Sequence, residues 1–277
     1  MNQQESGKSD DFFPFEPHPS STTELPRILA IANQKGGVGK TTTTVNLAAC
    51  IAELGYRVLV VDFDPQANAT SALGIDPRSV EKSMYDVILN DVNLRDCIIK
   101  SKWEFLSVAP SNLDLAGAEI ELVSAFNRER LLDGAISSVI SEFDFVLIDC
   151  PPSIGLLTVN ALTAASEVLV PIQCEYLALE GLGQLLSNVE RVKTHLNKEL
   201  HISTIALVMF DARTKLAGQV VEEIRSHFGE RVCQQTVPRS VRLSEAPSYG
   251  QPIIYYDSSS RGAIAYRSLA KEITGGA

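Results

Sequence analysis

Residues 28–44 read ILAIANQKGGVGKTTTT, a short apolar run, a turn with three glycines, and a threonine-rich stretch that opens a longer periodic segment. A strand, a glycine-rich turn and a helix starting near Gly39 aim backbone N–H groups and the positive end of a helix dipole at one point. That arrangement binds phosphate. Gly36, Gly37 and Gly39 let the backbone come close to it. Lys40 is then placed to neutralise the β and γ phosphates of a nucleoside triphosphate, and the Thr41 hydroxyl to coordinate Mg²⁺. The usual G-x-x-x-x-G-K-T spacing fails at one position, because Gln34 stands where the first glycine belongs. Lys35 beside it is a second lysine in a loop that needs one.

Outward from this loop, β-branched runs alternate with segments of helical period. Strands are expected at ILAIA (28–32), RVLVVDFD (57–64), FLSV (105–108), FVLID (145–149), EVLVPIQ (167–173) and ISTIALVMF (202–210), and a further one at RVCQQ (231–235). Helices are expected at 40–54, 127–142, 154–165, 180–196, 216–228 and 262–273. The connections are long enough for right-handed crossovers. The fold class is therefore α/β, a doubly wound, mostly parallel sheet with helices on both faces. With no repeat and no second boundary in view, one domain is expected over 25–277. Residues 1–24 mix prolines, serines and acids around Phe12, Phe13 and Phe15, the composition of a disordered tail.

At 277 residues and 45% hydrophobic content the chain has ample material for a core. Its five cysteines lie far apart with no C-x-x-C pair, which argues against a zinc site or a disulfide framework. No basic start precedes an apolar run, and no stretch approaches the roughly eighteen apolar residues of a membrane span. A cytoplasmic protein without membrane insertion is expected. The net charge of −10 disfavours general affinity for nucleic acid, so any DNA surface has to be a local patch.

A phosphate loop needs acidic residues at the carboxyl ends of neighbouring strands, where they hold Mg²⁺ waters and orient the attacking water. Asp62 and Asp64 close one predicted strand, two residues apart and so on one side of it. Asp149 closes another, ahead of the tight turn CPPS, in the position of a Walker B aspartate. Further on, TVPRSVRLSEAPSYGQPI (236–253) mixes prolines with turn formers and is expected to be an ordered loop at the sheet's end.

The segment K-G-G-V-G-K-T resembles the deviant Walker A motif of the ParA/MinD family of ATPases. The resemblance covers nearly all of 28–273 and includes AGAEIEL (116–122), IDCPPSIGLLTVNAL (148–162), QCEYLALEGL (173–182) and LSEAPSYGQPI (243–253). Within the family the chain is most similar to the Soj-like chromosomal ParA proteins. The resemblance implies that Lys35 reaches across a dimer interface to the partner's nucleotide, which suits a loop whose own phosphates already have Lys40 and Mg²⁺. It implies catalytic roles for Lys35, Lys40 and Asp64, the last positioning the hydrolytic water. It also implies nucleotide contacts from Lys35, Gly36, Gly37, Val38, Gly39, Lys40, Thr41, Thr42, Asp149 and, at the adenine, Pro238. The magnesium shell falls to Thr41, Asp62 and Asp149.

By the same resemblance, ATP and Mg²⁺ close a homodimer, the dimer binds double-stranded DNA without sequence preference on the nucleoid, and a ParB-type partner stimulates the hydrolysis that releases it. Arg213, in FDARTK, and Arg242, in PRSVRLSEAP, match the family's DNA-binding arginines. Residues 190–277 hold twelve Lys and Arg against nine Asp and Glu, a mildly basic third of an acidic chain. A MinD-like positioning ATPase, the alternative, needs a basic amphipathic C-terminal helix, whereas this chain ends YRSLAKEITGGA. An iron protein of the nitrogenase type would need paired cysteine ligands, which these cysteines do not supply.

Overall fold

The central strands are apolar through their middles because both faces of the sheet are covered. VLVVD and FVLID are buried throughout. The computed structural model describes residues 24–175 and 178–275; the expected tail with its phenylalanine cluster lies outside them except for Glu24. The strands are β1 (Arg27–Ile31), β2 (Val58–Asp62), β3 (Ile99–Lys100), β4 (Leu106–Ala109), β5 (Phe145–Asp149), β6 (Glu167–Gln173) and β7 (His201–Val208). They form one sheet in the order β3-β4-β2-β5-β1-β6-β7. Every pairing is parallel except β3 with β4.

The helices are α1 (Lys40–Glu53), α2 (Asn68–Ala72), α3 (Met84–Leu89), α4 (Leu94–Cys97), α5 (Leu115–Glu121), α6 (Leu131–Ser137), α7 (Leu156–Ala164), α8 (Ala178–His195), α9 (Lys215–Phe228), α10 (Val241–Glu245), α11 (Ile253–Tyr256) and α12 (Arg261–Ile273). Alternate strand side chains feed two cores. Leu29, Ile31, Val58, Val60 and Leu147 pack with α1 and α12 on one face. Ala30, Leu59, Val61, Val146 and Ile148 pack on the other, with α3 and α5 to α9. The doubly wound architecture is as expected.

Three expectations need correction. RVCQQ is not a strand: Val232 only bridges Ile205, and the N–H groups of Gln234 and Gln235 donate instead to the Glu272 carboxylate of α12, both at 2.8 Å. A carboxylate has taken the donors that a ladder would use. The helix expected at 127–142 is limited to α6 and a 3-10 turn at Ile140–Glu142. Asn160 causes this, since its Oδ1 accepts from Leu132 N–H at 3.2 Å and its Nδ2 donates to Arg128 O at 2.6 Å, pinning the preceding residues as a turn in which Asn127 has φ 55°. Between β2 and β5 the structure adds α2 to α5 and the antiparallel β3, none of them foreseen. The loop expected at 236–253 is ordered, but folded into α10, a 3-10 turn at Ala246–Tyr249 and the first residue of α11.

Candidate active site

The turn after β1 is built as a cradle. Gly37 and Gly39 have φ of 76° and 81°, a region that L side chains rarely adopt. A Cβ at Gly36 or Gly37 would meet nothing within 4 Å, so the space over the loop is open. The N-terminus of α1 has no side-chain cap and no acidic residue in its first turn, which leaves its backbone donors for an anion. Val38 is buried beneath the loop, and Thr42 lies in the first turn of α1. The loop is anchored at its start by Asn33, whose Nδ2 donates to Pro171 O of β6 at 2.8 Å and whose Oδ1 accepts Lys35 N–H at 3.0 Å. Behind Gly39 stand Val208 and Met209, within ordinary contact of where a Cβ would be, so the loop rests on the carboxyl end of β7.

The two lysines diverge. Lys40 is buried, and its Nζ donates to Lys35 O at 3.4 Å across the loop. Burial lowers its pKa, against the opposing pull of Asp149. Lys35 turns outward, its side chain 40% exposed and its Nζ 3.4 Å from Glu175. Glu175 is also held by Gln173 Nε2, at 2.6 Å, and by Arg239, at 3.6 Å.

The carboxylates meet beside Lys40. Asp62 and Asp149 are register partners at the ends of β2 and β5, and both are fully buried. Thr41 Oγ1 donates to Asp149 Oδ2 at 2.7 Å and Thr44 Oγ1 to Asp149 Oδ1 at 3.0 Å. Burial first, then the charge of Asp62, pushes the Asp149 carboxyl upward; burial likewise raises Asp62. Such a pair favours an added cation. Among the described residues no group of three or more His, Cys, Asp or Glu has metal-binding geometry. Mg²⁺ keeps several waters and takes one or two carboxylates together with phosphate oxygens. Thr41 and Asp149 are the side chains best placed for it. Asp62 is mostly engaged elsewhere, because its Oδ2 accepts from both the N–H and the hydroxyl of Thr70. Asp64 lies just past β2, 7% exposed, with its Oδ1 accepting Gln66 N–H at 2.9 Å.

The remaining expected residues lie apart. Pro238 bridges Phe210, next to the Met209 that backs the phosphate loop, so its segment borders the cradle. Arg213 lies in the turn before α9 and Arg242 in α10. Both are exposed and ion-paired, Arg213 to Asp211 at 2.7 Å and Arg242 to Glu245 at 3.0 Å and Asp257 at 3.5 Å. Asn33, Thr44 and Thr70 also belong to the site, although no motif in the sequence marks them. Thr44 follows Lys40 by four residues, one helical turn, and that spacing was the available signal.

Residues 26–202 match the AAA domain family. The sporulation initiation inhibitor protein Soj of Bacillus subtilis is 55% identical over 89% of this chain and 98% of its own length. The chromosome partitioning protein ParA of Myxococcus xanthus is 50% identical over 89% of this chain and 87% of its own. This chain belongs to the ParA/Soj-like chromosome-partitioning ATPases. A crystal structure of cobyrinic acid a,c-diamide synthase from Mycobacterium smegmatis, with a bound ATP analogue and magnesium, superposes with a TM-score of 0.79, 38% identity, and 90% and 94% coverage of the two chains. The ParA-like chain is thus an ATPase that uses ATP and Mg²⁺. Bound Mg²⁺ supplies charge that neutralises the phosphate oxygens. The chain's own contribution is the uncapped α1 terminus, the buried Lys40 and a cluster of buried aspartates.

Proposed function

We propose that this ATPase is a DNA-segregation switch whose nucleotide joins two copies of the chain. ATP and Mg²⁺ bind in the cradle of one protomer, Lys35 of each reaches the nucleotide of the other, and Asp64 orients the attacking water. One ATPase domain over 25–277 carries all of this. The closed dimer binds double-stranded DNA of any sequence through Arg213 and Arg242, on the nucleoid, and hydrolysis stimulated by a ParB-type partner opens it. The observation that carries this reading is the divergence of the lysines: Lys40 faces into the site, while Lys35 projects from the same loop toward solvent and Glu175. A cation directed away from its own cradle suits a ligand brought by another subunit.

A MinD-like membrane role gains no support from α12. Its Ala263, Tyr266, Leu269, Ala270 and Ile273 are buried in the core against α1, so its apolar face is already occupied. The test is retention on DNA-coated and anionic-lipid surfaces without nucleotide, with ADP, with ATP and with a non-hydrolysable analogue. Analogue-dependent retention on DNA, of any sequence and none on lipid, is expected. Retention on lipid, or equal retention on DNA in every nucleotide state, would overturn the proposal.

A further inference from the structure

The loop that carries Asp64 begins and ends on two buried residues bonded to each other. Asp62, at the end of β2, accepts from Thr70 twice at one oxygen: Thr70 N–H donates to Oδ2 at 2.7 Å and Thr70 Oγ1–H to the same atom at 2.6 Å. The Thr70 hydroxyl in turn accepts Ser111 N–H at 3.0 Å, just past β4. Thr70 and Ser111 are both fully buried. One hydroxyl therefore ties together the ends of β2 and β4 and the helix α2.

Residues 63–69 are closed into a ring by these bonds. Inside it, Phe63 N–H donates to Asp149 O at 3.1 Å and Ala67 N–H to Asp64 O at 2.9 Å. Ala67 has φ 51° and gives α2 no side-chain cap. A helix of five residues does not hold itself in place, since so short a segment lies below the length at which helices are stable alone. The far end of the Asp64 loop is consequently located by Thr70.

We infer that Thr70 is a positioning residue for ATP hydrolysis: its hydroxyl, fixed between Asp62 and Ser111, sets where Asp64 stands. The inference rests on Asp64 orienting the attacking water, as proposed above. Phosphoryl transfer depends on alignment, so a small displacement of Asp64 acts on turnover more than on nucleotide affinity. The requirement is chemical as well as steric. Valine has the shape of threonine but removes one bond to Asp62 and leaves Ser111 N–H buried without an acceptor.

The full chain is compared with Thr70→Val, Thr70→Ser and Asp64→Ala in steady-state ATP turnover, binding of a fluorescent ATP analogue, and analogue-induced dimerisation. Thr70→Val is expected to lose roughly ten- to a hundredfold in kcat while nucleotide binding and dimerisation stay close to the parent. Thr70→Ser should recover most of the loss, because it keeps the hydroxyl. Asp64→Ala should be inactive. If Thr70→Val turned over like the parent beside an inactive Asp64→Ala, the assignment of Thr70 would fail and that of Asp64 would stand. Normal turnover in Asp64→Ala would remove both. Failure of serine to rescue, or an equal loss of nucleotide binding, would make Thr70 a packing residue. Should Thr70→Val lack a cooperative thermal transition, Thr70→Ala removes the same hydroxyl and is judged by the same outcomes.

Discussion

Lys35 and Lys40 stand in one turn, yet burial separates their tasks. Lys40 sits among Asp149, Asp64 and backbone carbonyls, whereas the exposed pair of Lys35 with Glu175 is worth at most about 1 kcal/mol and is readily exchanged for a stronger anion. Lys35→Ala should therefore leave ATP binding by the monomer intact and weaken the analogue-bound dimer. Two symmetric charge-assisted contacts are lost, which corresponds to roughly 10²- to 10⁴-fold in the dimer dissociation constant by sedimentation. An unchanged dimer would show that the outward lysine has no partner across the interface. The glycines, lysines, Thr41 and the strand-end aspartates were legible because their signal is local, within a few positions along the chain. Asn33, Thr44 and Thr70 were not, because each has a partner far along the chain: Asn33 donates to Pro171, 138 residues away, Thr44 donates to Asp149, 105 away, and Thr70 accepts from Ser111, 41 away. Nothing in the neighbourhood of such a residue announces its partner.

Among the elements, β1 and β6 are joined at their base by an ion pair that is nearly out of water. Arg27 meets Glu167 through Nε at 2.6 Å and Nη2 at 2.7 Å, with both side chains about a tenth exposed, and Nη1 also donates to Ile273 O at the end of α12. Burial alone would raise the Glu167 carboxyl, but the hydrogen bonds and charge of Arg27, aided by Ser203 and His201, outweigh it and hold it below the ordinary range. A depressed carboxyl stabilises the fold above its unfolded pKa, about 4.3, and that contribution is lost as pH falls through the lower folded value. Arg27→Met leaves a buried charge unpaired and should destabilise by about 3–5 kcal/mol at neutral pH. The deficit should shrink toward pH 4, as Glu167 of the variant takes up a proton. Urea midpoints at both pH values check this, and a gap independent of pH would show that the pair carries no linked proton. The long elements were legible from their periods. The short ones were not, since α2 to α4 span four to six residues, about one turn each. The exception is α3, whose start carries a local signal, since Ser83 and Asp86 form a reciprocal capping box there.

At the scale of the molecule, the alternation of strand and helix foretold two covered faces, but the strand order depends on crossovers that no local pattern encodes. The edge strand β3 shows this, since its two residues pair antiparallel in an otherwise parallel sheet. Charge has the same character: a net −10 says little about which cations are neutralised and which are not. Arg213 and Arg242 illustrate the point, since each is exposed yet already matched by carboxylates from its own surface. The Arg213 guanidinium holds the Asp211 carboxyl far below the usual range through two hydrogen bonds and its charge. In the proposed docking onto DNA, a phosphate would have to evict a resident anion, and the evicted group would recruit a cation of its own. Salt sensitivity would then understate the number of arginines engaged, since each neutralised phosphate contributes about 0.9 to the logarithmic slope and each stranded aspartate would take part of that back. Asp211→Asn should steepen the slope by up to about one and tighten retention at low salt. A slope and affinity identical to the parent would mean that this arginine meets no phosphate.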